Sequence, residues 1–142
     1  FGPDNNCTRG QVVSFLWRAA GSPAPKSSNN PFKDVASTAY YYKAVLWAVE
    51  QGITSGKSNT EFAPDDVVTR DQAVAFLWRF KGKPEPKTTK NPFTDVKEGQ
   101  YYYKAVLWAV ENKITAGKTV VSFGPTDPCD RSQIVTFLYR AK

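Results

Sequence analysis

Three arginines stand 61 residues apart in one repeated phrase: Arg9, Arg70 and Arg131, each directly after Thr8, Thr69 or Asp130. The phrase reads F-[GA]-P-x-x-x-[CV]-[TD]-R-x-Q and begins at Phe1, Phe62 and Phe123. The Thr or Asp is a helix N-cap, and Gln11, Gln72 or Gln133 three places on completes a capping box, so each arginine is the first helical residue. A helix start carries partial positive charge and prefers an acid nearby by roughly 0.3–1 kcal/mol. An arginine repeated three times against that preference suggests a use. A guanidinium beside free helix-start N–H groups makes a site for a carboxylate or phosphate, which the planar fork can take bidentately. The alternative is internal pairing, with Asp34 or Asp95, or with Asp4, Asp65, Asp66 or Asp127 just upstream.

Other side chains narrow the chemistry. The chain has no histidine and two cysteines, which removes Ser-His and Cys-His nucleophile pairs, imidazole metal ligands and a closed tetrahedral zinc site. No metal or cofactor is expected. Asp34 and Asp95 recur in a Phe-x-Asp-Val phrase; they read as caps on local backbone or as ligand contacts, and no partner with a raised pKa marks them as catalytic. Tyr40-Tyr41-Tyr42 and its copy Tyr101-Tyr102-Tyr103 point three ways from adjacent positions, so at least one ring per unit should reach the surface and stack on a sugar. Tyr41 and Tyr102 are the candidates. Lys57 and Lys118 follow nearby turns and add positive charge, or are simply solvated.

The elements that must hold these groups obey the same interval. Pro31-Phe32-x-Asp34-Val35 recurs as Pro92-Phe93-x-Asp95-Val96, and Tyr40 to Glu50 recurs letter for letter as Tyr101 to Glu111. Strict repetition decides architecture ahead of local propensity. Taking Pro31 as a unit start divides the chain into 1–30 (the second half of a first unit), 31–91 and 92–142, two and a half units in one body. A helix over Thr8 to Ala20 carries Val12, Val13, Phe15, Leu16 and Ala19 on one stripe and stops at Gly21. Cys7, Val68 and Cys129 precede the caps at the staple position, so the cysteines are either small buried thiols or a Cys7–Cys129 disulfide, the latter possible if the helix starts converge. The proline straps after Gly21 and Gly82 keep their length and carry the chain between units. A second helix is predicted from Ala39 or Tyr40 to Gln51 and from Gln100 to Asn112, apolar nearly all round, leaving Lys43 and Glu50 free. Lys113 stands where Gly52 ends the first of these. Val120-Val121 suits at most a brief β-edge, so the fold class is all-α.

Composition sets the outer limits. A 142-residue chain buries roughly 68% of its unfolded surface, enough for one core. Ala44 to Val49 is the longest unbroken apolar stretch, far below the ~20 residues of a membrane span, and no charged-then-apolar leader opens the chain. A soluble fragment without membrane insertion is expected, with any targeting signal upstream. Net charge +6 favours an anionic partner. The cations are dispersed at repeat positions with no recognised nucleic-acid module, which argues against nucleic acid.

In combination, Phe32-Lys-Asp34-Val35, Gly52-Ile53-Thr-Ser-Gly56, Phe62-Ala-Pro64 and Val68-Thr69-Arg70-Asp71-Gln72 resemble the S-layer homology domain, in order and across the whole chain. The resemblance implies tandem helical repeats in a pseudo-threefold, three-lobed spindle with a central helical bundle and grooves between lobes. It implies a non-catalytic module, extracellular at the cell wall of a Gram-positive bacterium, part of a longer parent with upstream or downstream domains. Members anchor surface proteins noncovalently to secondary cell-wall polysaccharide, often bearing a pyruvate ketal, which is a carboxylate on a sugar. That meets the anion the arginines ask for, with Arg70 the cleanest carry-over. The family's glutamate is glutamine here at Gln11, Gln72 and Gln133, and Asp130 beside Arg131 repels an anion, which ranks that arginine lowest. The competing expectation is a structural or protein-interaction module without polysaccharide binding.

Overall fold

The computed structural model describes residues 6–119 and 121–141. Five helices follow one another: α1 (Arg9–Ala19), α2 (Tyr42–Glu50), α3 (Arg70–Phe80), α4 (Tyr103–Glu111) and α5 (Arg131–Arg140). Among the described residues there is no strand, only isolated bridges Asn6/Asp130, Thr8/Val67 and Thr69/Pro128. The chain is all-α, as its repeat pattern predicts. Phe1, Asp4 and Val120 lie outside the described residues; Val121 offers its carbonyl to the Thr94 N–H at 2.8 Å.

The three helix starts meet in a closed ring of backbone hydrogen bonds. Cys7 N–H donates to Cys129 O, Cys129 N–H to Val68 O, and Val68 N–H to Cys7 O, each at 2.8 Å. Each residue gives once and receives once, so the 61-residue interval becomes a local threefold hub. All three side chains are fully buried, which explains why cysteine and valine exchange there: the hub accepts a small apolar group. Both cysteines are free thiols, and burial pushes each up to about 12. The buried-thiol alternative holds, and the disulfide is not formed. Val12, Ala73 and Ile134 are buried at the matching staple positions, and all three capping boxes are made.

Around the hub α1 pairs with α2 and α3 with α4, while α1 also touches α3 and α5. The fifth helix has no such partner among the described residues. Val13 and Val74 are 0% exposed beneath their partner helices, whereas the equivalent Val135 is 42% exposed. Between pairs the straps are pinned. Trp17 Nε1 donates to Pro23 O and Trp78 Nε1 to Pro84 O, both at 2.8 Å. Glu50 is exposed but not idle, since its carboxylate accepts the Lys26 and Ser27 N–H groups, as Glu111 does for Lys87 and Thr88.

The second helix of each unit starts later than periodicity predicts, at Tyr42 and Tyr103 rather than Ala39 or Gln100. Ahead of it Ala39 N–H bonds Ala36 O and Tyr42 N–H bonds Ala39 O, so the tyrosine run enters through tight three-residue turns and no side chain caps the helix. The helices end at Glu50 and Glu111. Gly52 (φ 73°) and Lys113 (φ 58°) both take the left-handed conformation that stops them, so a lysine bears the strain glycine avoids.

Candidate functional site

The starts of α1 and α3 are not open to an anion in the way the sequence suggests. The Arg9 N–H donates to Asp66 O and the Gly10 N–H to Pro64 O; one unit on, Arg70 donates to Asp127 O and Asp71 to Pro125 O, all at 2.9 Å. The turn after Phe62 or Phe123 thus docks on the preceding helix and takes up its orphan donors. The expected free N–H groups are occupied.

The arginine side chains continue that docking. Arg9 Nε donates to Phe62 O and Arg70 Nε to Phe123 O at 2.9 Å, while each Nη2 reaches Thr54 or Thr115 Oγ1 at 3.4 Å. Arg9 lies 4.8 Å above the Phe62 ring and Arg70 4.7 Å above the Phe123 ring. They are 6% and 5% exposed. Burial lowers both guanidinium pKa values from the usual range, opposed at Arg9 by Asp66, Tyr101 and Asp34 and at Arg70 by Cys129, Asp127 and Asp95. Internal engagement is therefore real, but its partners are carbonyl and hydroxyl groups rather than the expected carboxylates. Arg131 lines a groove beside α1.

Asp34 and Asp95 hold the same turns from the other side. Asp34 accepts the Phe62 and Ala63 N–H groups at 2.9 and 2.8 Å; Asp95 accepts those of Phe123 and Gly124 at the same distances, and the Ser122 hydroxyl. They are caps, reaching across 28 residues instead of locally. Burial alone would raise the Asp95 carboxyl, but these hydrogen bonds outweigh it and hold it below the usual carboxylate range. Lys57 and Lys118 close the turn on its solvent side, paired with Asp66 and Asp127.

The tyrosines divide differently from the sequence reading. Tyr40 and Tyr101 are the exposed rings of their runs, at 58% and 55%, while Tyr102 is buried and Tyr41 half-buried. Each exposed ring packs edge-on against the next tyrosine, with centroids 5.0 and 5.1 Å apart. The most exposed ring of each run is thus Tyr40 or Tyr101, one position before Tyr41 or Tyr102, because the run enters its helix through a turn.

Tyr40 borders a groove of about 290 Å³ with Gln11, Ser14, Phe15, Arg18 and Arg131. It combines an aromatic face, two guanidinium groups and amide and hydroxyl groups. Advancing each α1 residue and Tyr40 by 61 gives Gln72, Ala75, Phe76, Arg79 and Tyr101, and Arg9 closes that second group, 5.4 Å above the Phe76 ring. Another groove, of about 360 Å³, places Arg70, Lys118 and Asp127 against Asp130 and Gln133 at the start of α5. Motif reasoning does not single out Arg18, and within the tyrosine run it favours Tyr41 over Tyr40. The signal was available at Arg18, since arginine recurs as Arg79 and Arg140 at the same interval.

The repeated phrases that build these helix starts define a recognisable family. The S-layer homology domain is matched twice in this chain, over residues 31–74 and 92–135. The chain belongs to that family. This S-layer homology module is 34% identical over 132 residues to an endoglucanase of Bacillus sp. (strain KSM-635), covering 92% of the chain and 14% of the endoglucanase. It is 28% identical over 119 residues to a cell surface protein of Thermoanaerobacter kivui, covering 81% of the chain and 16% of that protein. A surface-layer 125 kDa protein of Lysinibacillus sphaericus is 30% identical over 112 residues, 79% of the chain and 9% of the relative. The module thus spans under a fifth of each. Family and relatives place it at the cell surface.

Proposed function

We propose that this module holds a surface protein to the cell wall by noncovalent binding of an anionic, pyruvate-bearing secondary polysaccharide, and performs no catalysis itself. The observation that carries the reading is the α1 groove, where Arg131 and Arg18 flank the open Tyr40 ring. A ketal carboxylate pairs with the guanidinium groups, charge-assisted and bidentate where the fork allows. The sugar stacks on the tyrosine, and Gln11 and Ser14 lie within the same lining. Arg9 and Arg70 serve by fixing the walls, with Asp34, Asp95, Tyr41 and Tyr102 behind them. Lys57 and Lys118 stand at the rims in half-exposed ion pairs, a kind worth ~1 kcal/mol or less. Such pairs can exchange an aspartate for a ligand carboxylate.

The partner is the polysaccharide, and the reading assigns no nucleic acid. Among the described residues no helix is long and apolar enough to cross a membrane. A catalytic domain, as in the endoglucanase relative, would belong to another part of a longer parent.

Isothermal titration with purified wall polysaccharide tests the reading. Binding is expected, weakened at least tenfold by Arg18→Ala or Tyr40→Ala. Concentration-dependent self-association by light scattering, with no heat from the polymer, would instead favour a protein-interaction module.

A further inference from the structure

One face of α5 stands open where the same face of α1 and of α3 is closed. Counted from each helix start, the second, fifth, sixth and ninth residues share one side of the cylinder, at the i, i+3, i+4, i+7 spacing. In α1 these are Gly10, Val13, Ser14 and Trp17, and in α3 Asp71, Val74, Ala75 and Trp78. The first three of each set are buried and the tryptophans half-buried. In α5 the same places hold Ser132, Val135, Thr136 and Tyr139, with Val135 42% and Tyr139 73% exposed and the other two half-buried. The hub side of α5 is closed, since Ile134 and Phe137 are 4% and 6% exposed. The exposure therefore belongs to one stripe and not to the helix as a whole.

In the other two pairs a single sequence covers that stripe. α2 and α4 both read Tyr-Lys-Ala-Val-Leu-Trp-Ala-Val-Glu, and they pack on α1 and α3. Ala44, Val45 and Ala48 of α2 and their copies Ala105, Val106 and Ala109 of α4 are all 0% exposed. Tyr41, just ahead of α2, lies so near the start of α1 that a Cβ on Gly10 would come within 2.9 Å of its Cδ2. The covering helix thus accepts Gly10 or Asp71, and Ser14 or Ala75, at the same places. Ser132 falls between glycine and aspartate in size, Thr136 exceeds Ser14 by one methyl group, and Val135 repeats Val13 and Val74 unchanged. None of the four α5 residues is charged, so covering them strips no ion of its water.

We propose that the face of Ser132, Val135, Thr136 and Tyr139 is a docking surface for the front half of a further S-layer homology unit, which binds through a helix of the α2 and α4 kind. Recognition is that of an amphipathic helix laid on an apolar stripe, with Val135 at its centre. The surface joins module to module and is independent of any polysaccharide.

¹⁵N NMR on the 142-residue chain, titrated with a synthetic peptide of residues 40–56, tests this in trans. A second chain, with a copy of residues 82–118 appended after Lys142, repeats behind α5 the connection that leads from α3 to α4 and tests it in cis. The peptide should move the amide signals of Val135, Thr136 and Tyr139 and spare those of Val13 and Val74. Val135→Asp should weaken the peptide at least tenfold. In the parent chain that substitution should shift the urea midpoint by less than about 0.3 M, as at an exposed site, and in the appended chain it should lower it by about 1 M or more. Docking in the appended chain alone would still support the proposal, because tethering raises the local concentration of a weak partner. A Val135→Asp effect no larger in the appended chain than in the parent would overturn it, as would a scrambled peptide that moves the same signals. Concentration-dependent shifts at Val135 and Tyr139 in the parent chain alone would give the face to a second copy and overturn it as well.

Discussion

Replacing Arg70 by alanine should destabilise the module before it says anything about binding. The guanidinium is 5% exposed, donates to Phe123 O at 2.9 Å and sits 4.7 Å over the Phe123 ring. A hydrogen bond to a charged group is worth ~1.5–3 kcal/mol, and a desolvated cation–π contact adds ~2 kcal/mol. The turn it docks also supplies the carbonyls that satisfy the Arg70 and Asp71 N–H groups. Loss of the side chain should therefore cost about 3–5 kcal/mol, a large part of the ~5–15 kcal/mol that keeps a domain folded. With a urea slope of ~2 kcal/mol/M, the midpoint should fall by about 1.5–2.5 M, followed by far-UV circular dichroism. Arg9→Ala should behave alike. Arg18→Ala, on an exposed side chain without partners, should stay within about 0.5 kcal/mol of the parent. A midpoint for Arg70→Ala within about 0.3 M of the parent would refute the docking argument. Arg18, not Arg70, is then the arginine whose loss reports on a ligand.

Three further outcomes follow from other contacts. Asp95 is held below its ordinary value of 3.8, so its contribution to stability is present above that pH and is lost as pH falls through the lower folded value. Asp95→Asn should be less stable by about 1–3 kcal/mol at pH 7 and show a flatter acid limb in urea titrations from pH 6 to 2; a parallel limb would contradict it. At Gly117 (φ 90°) a Cβ would lie 2.6 Å from Phe93 Cε1, so Gly117→Ala should lose about 2 kcal/mol or more by thermal melt, and an unchanged melt would refute the close packing. Cys7 and Cys129, both buried and raised to about 12, should resist iodoacetamide at pH 8 in the native chain and react as two thiols in denaturant; fast native labelling would show the hub open.

The elements that repeat were legible because their rules are local. Thr8, Gln11 and Gly21 mark a helix by capping chemistry alone, and the Cys7, Val68 and Cys129 staples point to a shared core. The position of the tyrosine ring was not legible, because whether Tyr40 or Tyr41 faces solvent depends on a turn from Ala36 to Tyr42 whose bonds no periodicity reports. The arginines show a deeper limit. Their placement against the helix dipole suggests a ligand site or an internal acid partner, yet the same anomaly is met by backbone carbonyls 53 residues away. Electrostatic misfit at one residue signals that a partner exists without distinguishing a sugar carboxylate from a carbonyl of the next unit. Arg18 and Tyr40 join in one groove only because α1 packs on α2, a long-range fact.

Co-sedimentation of the module with purified cell-wall sacculi, native and after mild acid removal of the ketal, tests wall anchoring most directly. Anchoring through the α1 groove predicts capture by native sacculi, with at least tenfold less after depyruvylation or with Arg18→Ala. Equal capture by native and stripped walls would contradict carboxylate recognition, and no capture by either would contradict anchoring itself.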